Sequence, residues 1–127
     1  MKYLLITMLL GVGYSQCNES NWQEYYNSEG HNMVGCDLAG ADLSYANLEG
    51  AYLYGANLGW ANLRGVNLQW AYLGYAILAE TNLTGANLSY ANLTGADLTN
   101  ATLINTDFRA SNLSYRPLPI SCDHFRG

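Results

Sequence analysis

A chain of 127 residues that is 50% hydrophobic, 13% aromatic and only 12% charged can form one folded unit and is too apolar to stay disordered. Its formal net charge of −5 argues against a surface that tracks nucleic-acid phosphates. Two histidines and three cysteines leave little material for a metal centre.

The chain opens with one positive charge, Lys2, and an apolar run from Tyr3 to Leu10. Gly13-Tyr14-Ser15 comes next, with small residues at the first and third positions, as a signal-peptidase site requires. Residues 1–15 are therefore expected to be a signal peptide, and the mature protein is expected to be secreted or periplasmic. The run is too short for a permanent anchor, so no stable membrane insertion is expected after its removal. Acylation at Cys17 would want a small residue before it, and Gln16 is not small. Without Lys2, four arginines face ten acidic residues, a net charge of −6.

Residues 16–35 form the expected N-terminal cap. Ser20-Asn21-Trp22-Gln23 resembles a capping box and predicts a short helix with Trp22, Tyr25 and Tyr26 on one side. His31 to Gly35 is in phase with the chain beyond Cys36, but His31 is large for its slot, so this stretch reads as a lead-in turn.

From 36 to 115 the chain reads in fives. Leucine recurs at every fifth position from Leu38 to Leu113, with Phe108 as the one substitute. Two residues before each stands a small side chain, usually alanine, otherwise Cys36, Val66, Thr81, Thr106 or Ser111. Positions two apart share one side of an extended segment, and the next three residues must turn the chain. Repeated step-and-corner winding puts leucine and alanine inside, while glycines such as Gly50, Gly65 and Gly85 argue against helices. Asx residues before leucine (Asp37, Asp42, Asp97 and Asp107 among them) are expected to bond the turning backbone. Sequons such as Asn82-Leu83-Thr84 and Asn92-Leu93-Thr94 arise from the repeat itself and are not read as glycosylation sites.

Ala-Asp-Leu-Ser-Tyr (41–45), Ala-Asn-Leu-Arg-Gly (61–65) and Ala-Asn-Leu-Thr-Gly (91–95) resemble the pentapeptide-repeat family. The resemblance implies an all-β, right-handed quadrilateral β-helix of about four coils, one pentad per face and twenty residues per coil. Its open first edge needs a cover, which the short N-terminal helical cap over 16–35 is expected to supply. The resemblance also implies end-to-end pairing through the last coil, and Tyr115, Leu118 and Ile120 offer an apolar end for a weak homodimer.

Residues 116–127 keep the phase, but Pro117 and Pro119 remove ladder donors, so a C-terminal cap or tail is expected there. Among Cys17, Cys36 and Cys122 an exported chain can form one internal disulfide. Cys17–Cys36 is favoured because the cap must fold over the first coil, with Cys17–Cys122 as the alternative.

No cluster has zinc spacing, no glycine loop cradles a phosphate, and no nucleophile has a local base pattern. The expectation is no enzyme, no cofactor and no metal. What the repeat does not require is its aromatic residues. At twenty per coil, Tyr52 lies against Tyr72 and Trp70 against Tyr90, flanked by Tyr54 and Tyr75. These six form a candidate contact wall for a protein or glycan, or else a stabilising outer ladder. The expected function is a structural or interaction module with no nucleic-acid partner. The family also suggests a DNA mimic that binds a topoisomerase, which the signal peptide and six solenoid acids disfavour.

Overall fold

The computed structural model describes residues 16–114; the expected signal peptide, C-terminal cap, Tyr115, Leu118, Ile120 and Cys122 lie outside them. One short helix, α1 (Trp22–Tyr26), precedes a ladder of isolated parallel bridges. Thirteen of these bridges, from Asn32 with Tyr52 to Asn92 with Asn112, join residues 20 apart. Each pentad therefore meets the pentad four further along, and the coil has four faces of five residues.

The hydrogen bonds explain the step and the corner. Leu38 donates its N–H to the Asn57 carbonyl at 2.7 Å, and Asn57 donates to the Cys36 carbonyl at 2.8 Å. The next small residue then closes the corner, with the Ala41 N–H on the Leu38 carbonyl at 3.1 Å. The residue before it has positive φ, for example +70° at Gly40 and +60° at Tyr45. That is the φ pattern of a type II turn, which favours glycine or asparagine at this place. Side chains other than glycine there cost about 1 kcal/mol each.

The Asx position works as expected. Asn62 Oδ1 accepts the Arg64 N–H at 3.2 Å, and its Nδ2 donates to Asp42 Oδ1 in the preceding coil at 3.1 Å. Asn67 repeats both bonds with Gln69 and Asn47. Inside, leucines from Leu38 to Leu88 form one column-filled core with essentially no exposure. Each contributes roughly 1.5–3 kcal/mol by burial. The hydroxyls placed in small slots are satisfied: Thr81 donates to the Leu78 carbonyl at 2.7 Å, and Ser111 to the Phe108 carbonyl at 2.7 Å.

At the N-terminal end three features differ from expectation. The capping box does not form, because Asn18 Oδ1 takes both the Ser20 N–H at 2.9 Å and its hydroxyl at 2.6 Å. Asn21 becomes the N-cap instead, with no side-chain cap bond. Helix α1 is held by packing: Trp22, Tyr25 and Tyr26 lie against the core, and the Tyr26 hydroxyl donates to the Glu49 carbonyl at 3.1 Å. Residues 31–35 are a full pentad and not a lead-in turn. Met33 fills a leucine slot, fully buried, and donates to the Tyr52 carbonyl at 2.8 Å. His31 avoids its inward slot by turning outward at φ 51° and stacking on Tyr26 at 4.4 Å.

Cys17 sits directly over Cys36. The Asp37 N–H bonds the Cys17 carbonyl at 2.9 Å just as Asn57 bonds the Cys36 carbonyl, so Cys17 takes a small inward slot one layer earlier. A disulfide joins the two, both buried, across 19 residues where a regular coil would have 20. The twentieth residue is missing where α1 replaces corners, before any full layer exists above.

Candidate functional site

The candidate surface lies on the face built from pentads 51–55, 71–75 and 91–95 and the corner that leads into it. Tyr52 and Tyr72 stand at the Asx position, so these two pentads give up the side-chain bond to their own corner. Their rings stack instead, with centroids 4.6 Å apart and planes within 4°. Trp70 and Tyr90 occupy successive corners at φ 63° and 61° and stack at 4.3 Å. Tyr54 and Tyr75 meet edge to face at 5.6 Å and 64°. All six remain 43–54% exposed, and no ring contact joins one dyad to another among the described residues.

The chain makes room for these rings by a rule that operates one coil later. A Cβ at Gly74 would lie 3.0 Å from the Tyr54 ring, and one at Gly95 would lie 2.8 Å from the Tyr75 ring. Outside the wall, Gly65 stands likewise beneath Tyr45, whose hydroxyl also accepts from Arg64 Nε at 3.0 Å. Tyr45, Tyr54 and Tyr75 are thus answered twenty positions on by glycine and Tyr52 and Trp70 by another ring, while Tyr72 and Tyr90, each already stacked on the ring of the coil before, meet Asn92 and Ala110. Trp60 differs from all of these: at φ 57° and 71% exposed, it has no ring contact among the described residues, and Glu80 follows it one coil later.

Charge lies mostly away from the wall, with Arg109 beside Tyr90 at its edge. Asp37, Glu80 and Asp97 lie on the next face, Asp42 and Arg64 on the one after, and Glu49, Asp107 and Arg109 on the last. The wall pentads carry none. Arg109 donates to Asp107 at 2.7 Å and holds that carboxyl below its usual range, while hydrogen bonds from Ser44 lower Asp42. Burial, with Glu49 nearby, raises the Tyr26 phenol. Among the described residues no three His, Cys, Asp or Glu side chains converge to hold a metal ion. No helix among them is long and apolar enough to cross a membrane.

The profile of the family described as Pentapeptide repeats matches in 8 copies, over residues 32–69, 67–103 and 76–114. A pentapeptide repeat protein of the cyanobacterium Cyanothece 51142 is 40% identical with a TM-score of 0.63, over 64% of this chain and 55% of that one. One from the Arabidopsis thaliana thylakoid lumen is 33% identical with a TM-score of 0.56, over 76% of this chain and 66% of that one. The chain thus spans a little over half to two thirds of these proteins' lengths. Among curated proteins none matches it. With the repeat matched from Asn32 to Ser114 and twenty residues per coil in its own ladder, the chain belongs to the pentapeptide-repeat family and has its right-handed quadrilateral β-helix.

Proposed function

We propose that this protein is a non-enzymatic interaction module, exported to a secreted or periplasmic location, which binds a partner protein through the wall of Tyr52, Tyr54, Trp70, Tyr72, Tyr75 and Tyr90. The observation that carries the reading is six half-exposed rings, four of them on a face whose pentads carry no charge and two, Trp70 and Tyr90, at the corner leading into it, where Arg109 is the neighbouring charge. Such a surface loses little on desolvation and matches the aromatic, charge-depleted centre of protein interfaces. A glycan is the second reading. Sugars stack on open ring faces, and in two dyads the rings cover each other's faces and offer edges and hydroxyls outward. That arrangement favours protein.

The signal-like residues 1–15 support export, and one relative resides in the thylakoid lumen, itself reached across a membrane. A weak homodimer through Tyr115, Leu118 and Ile120 belongs to the same proposal; the half-exposed Leu103 and Leu113 of the last coil support it. A DNA mimic acting on a topoisomerase is weaker, since the solenoid acids are spread over three faces and Asp107 is paired with Arg109.

Cell fractionation followed by cross-linking pull-down from the extracytoplasmic fraction tests the proposal, with a glycan array in parallel. The Tyr52→Ser/Tyr72→Ser variant should lose at least about tenfold in retention with its fold intact. Retention equal to wild type, a wild type that retains nothing, or binding only on the array would each overturn it.

A further inference from the structure

Tyr52 and Tyr72 are placed for a reaction as well as for contact. We propose that this pair is a site of oxidative modification, at which a peroxide-driven one-electron oxidant joins the two phenols into an intrachain dityrosine. Their backbones are bridged in parallel, and the rings lie face over face at 4.6 Å with planes within 4°. The two phenol rings are thus held parallel and close together. Both side chains are more than two-fifths exposed, so the oxidant's electron acceptor can reach them.

The chemistry balances without any further reactant. The oxidant removes one electron from each phenol, and the two hydroxyl protons leave to water. The resulting phenoxyl radicals pair their electrons in a new bond between ortho carbons. Each of those carbons then gives up its hydrogen as a proton, the C–H electron pair restores the aromatic ring, and the phenolic oxygen is reprotonated. Two electrons and two protons in total convert one peroxide into two waters. Because the ladder already holds the rings together, coupling within the chain outruns coupling between molecules at dilute concentration.

The rest of the wall supplies internal controls. Tyr54 and Tyr75 meet at 64°, so the ortho edge of one points at the face of the other and the carbons that must join do not overlap. Trp70 stacks with Tyr90, a pair that cannot give dityrosine. Tyr45 has Gly65 as its neighbour one coil on. The link would bridge successive coils, closing a loop of twenty residues much as a disulfide does.

The full chain, treated at low micromolar concentration with a haem peroxidase and hydrogen peroxide, tests this. Monomeric product should gain the blue dityrosine emission and lose two hydrogens in mass. Peptide mapping should place the link at Tyr52–Tyr72, and the thermal midpoint should rise by roughly 10 °C. Tyr52→Phe and Tyr72→Phe should each abolish the emission of the monomer, and Tyr54→Phe should leave it unchanged. Circular dichroism before oxidation checks that each variant is folded, which phenylalanine in the same stack should preserve. A link mapped only to other tyrosines, only between molecules, or absent under conditions that couple N-acetyltyrosine would overturn the assignment.

Discussion

Among the described residues, the first and last coils of the solenoid are built from the same pentads and buried to very different degrees. At the N-terminal end, α1, Met33 and the Cys17–Cys36 disulfide lie over the first coil, and Leu38 and Leu43 are as buried as Leu73. At the other end Leu98 and Phe108 are only partly buried, while Leu103 and Leu113 are 42% and 47% exposed. A repeat by itself does not make a core; each leucine is buried by the coil on either side of it. Stability should accordingly fall along the described residues from the first coil toward the last, and this gradient can be attacked.

The largest effect should come from the middle of the stack. Leu73→Ala should cost about 2–5 kcal/mol by urea denaturation, through lost transfer energy and a cavity. Leu113→Ala should cost under about 1 kcal/mol, because half of that side chain already meets water. Equal costs would break the comparison. Next, Cys17→Ala with Cys36→Ala should cost about 2–4 kcal/mol by unlocking a 19-residue loop. Hydrogen exchange should then show the N-terminal coil opening as readily as the last one. If the first coil kept its protection, the disulfide would not be what closes that end.

A smaller loss is expected from α1. Tyr26→Ala removes a ring packed on the core, its stack on His31 and its bond to the Glu49 carbonyl, and should cost about 1–3 kcal/mol. Tyr26→Phe, which keeps the packing, should lose less than half of that. The smallest effect is electrostatic and belongs to the last coil. The Asp107 carboxyl is lowered from its ordinary 3.8 by Arg109, so its contribution is present above that value and is lost as pH falls through the lower folded one. Amides of the last coil should therefore lose protection, measured against their intrinsic exchange rates at each pH, below about pH 4, and Asp107→Asn should remove that dependence. A dependence unchanged in the variant would place its origin elsewhere.

The gradient is only partly legible in the sequence. The inward leucines follow from a period of five, and the Asx bonds to the corner follow from the chemistry of Asn and Asp. The twenty-residue coil does not follow from the period; it comes with the family resemblance, and the bridges bear it out. The positive φ at Tyr45, Trp60, Trp70, Tyr75 and Tyr90 is not legible there, because aromatic side chains are poor markers of a turn that glycine usually marks. Their pairing with glycines such as Gly65 and Gly95 becomes visible only after folding the sequence at twenty. Local motifs fare worst. Ser20 is claimed by Asn18 before it can cap a helix, and His31 leaves its slot for Tyr26, two outcomes decided by neighbours in space.

The 19-residue step between Cys17 and Cys36 has a consequence of its own, best put in the language of translation. Every layer from Asn32 to Asn112 is read against the layer twenty residues away, so the fold has a frame. Losing one residue inside it is a frameshift: every later leucine arrives at the outward Asx position, every later small residue at a corner, and the first residue of every later corner arrives inside. Gaining or losing a block of twenty is in frame and leaves each junction as it was. Among the described residues the count slips only at the bridge of Asn18 with Asp37, ahead of the first full layer. Length variation in such a chain is therefore expected in whole coils through the body, and in single residues only at the ends.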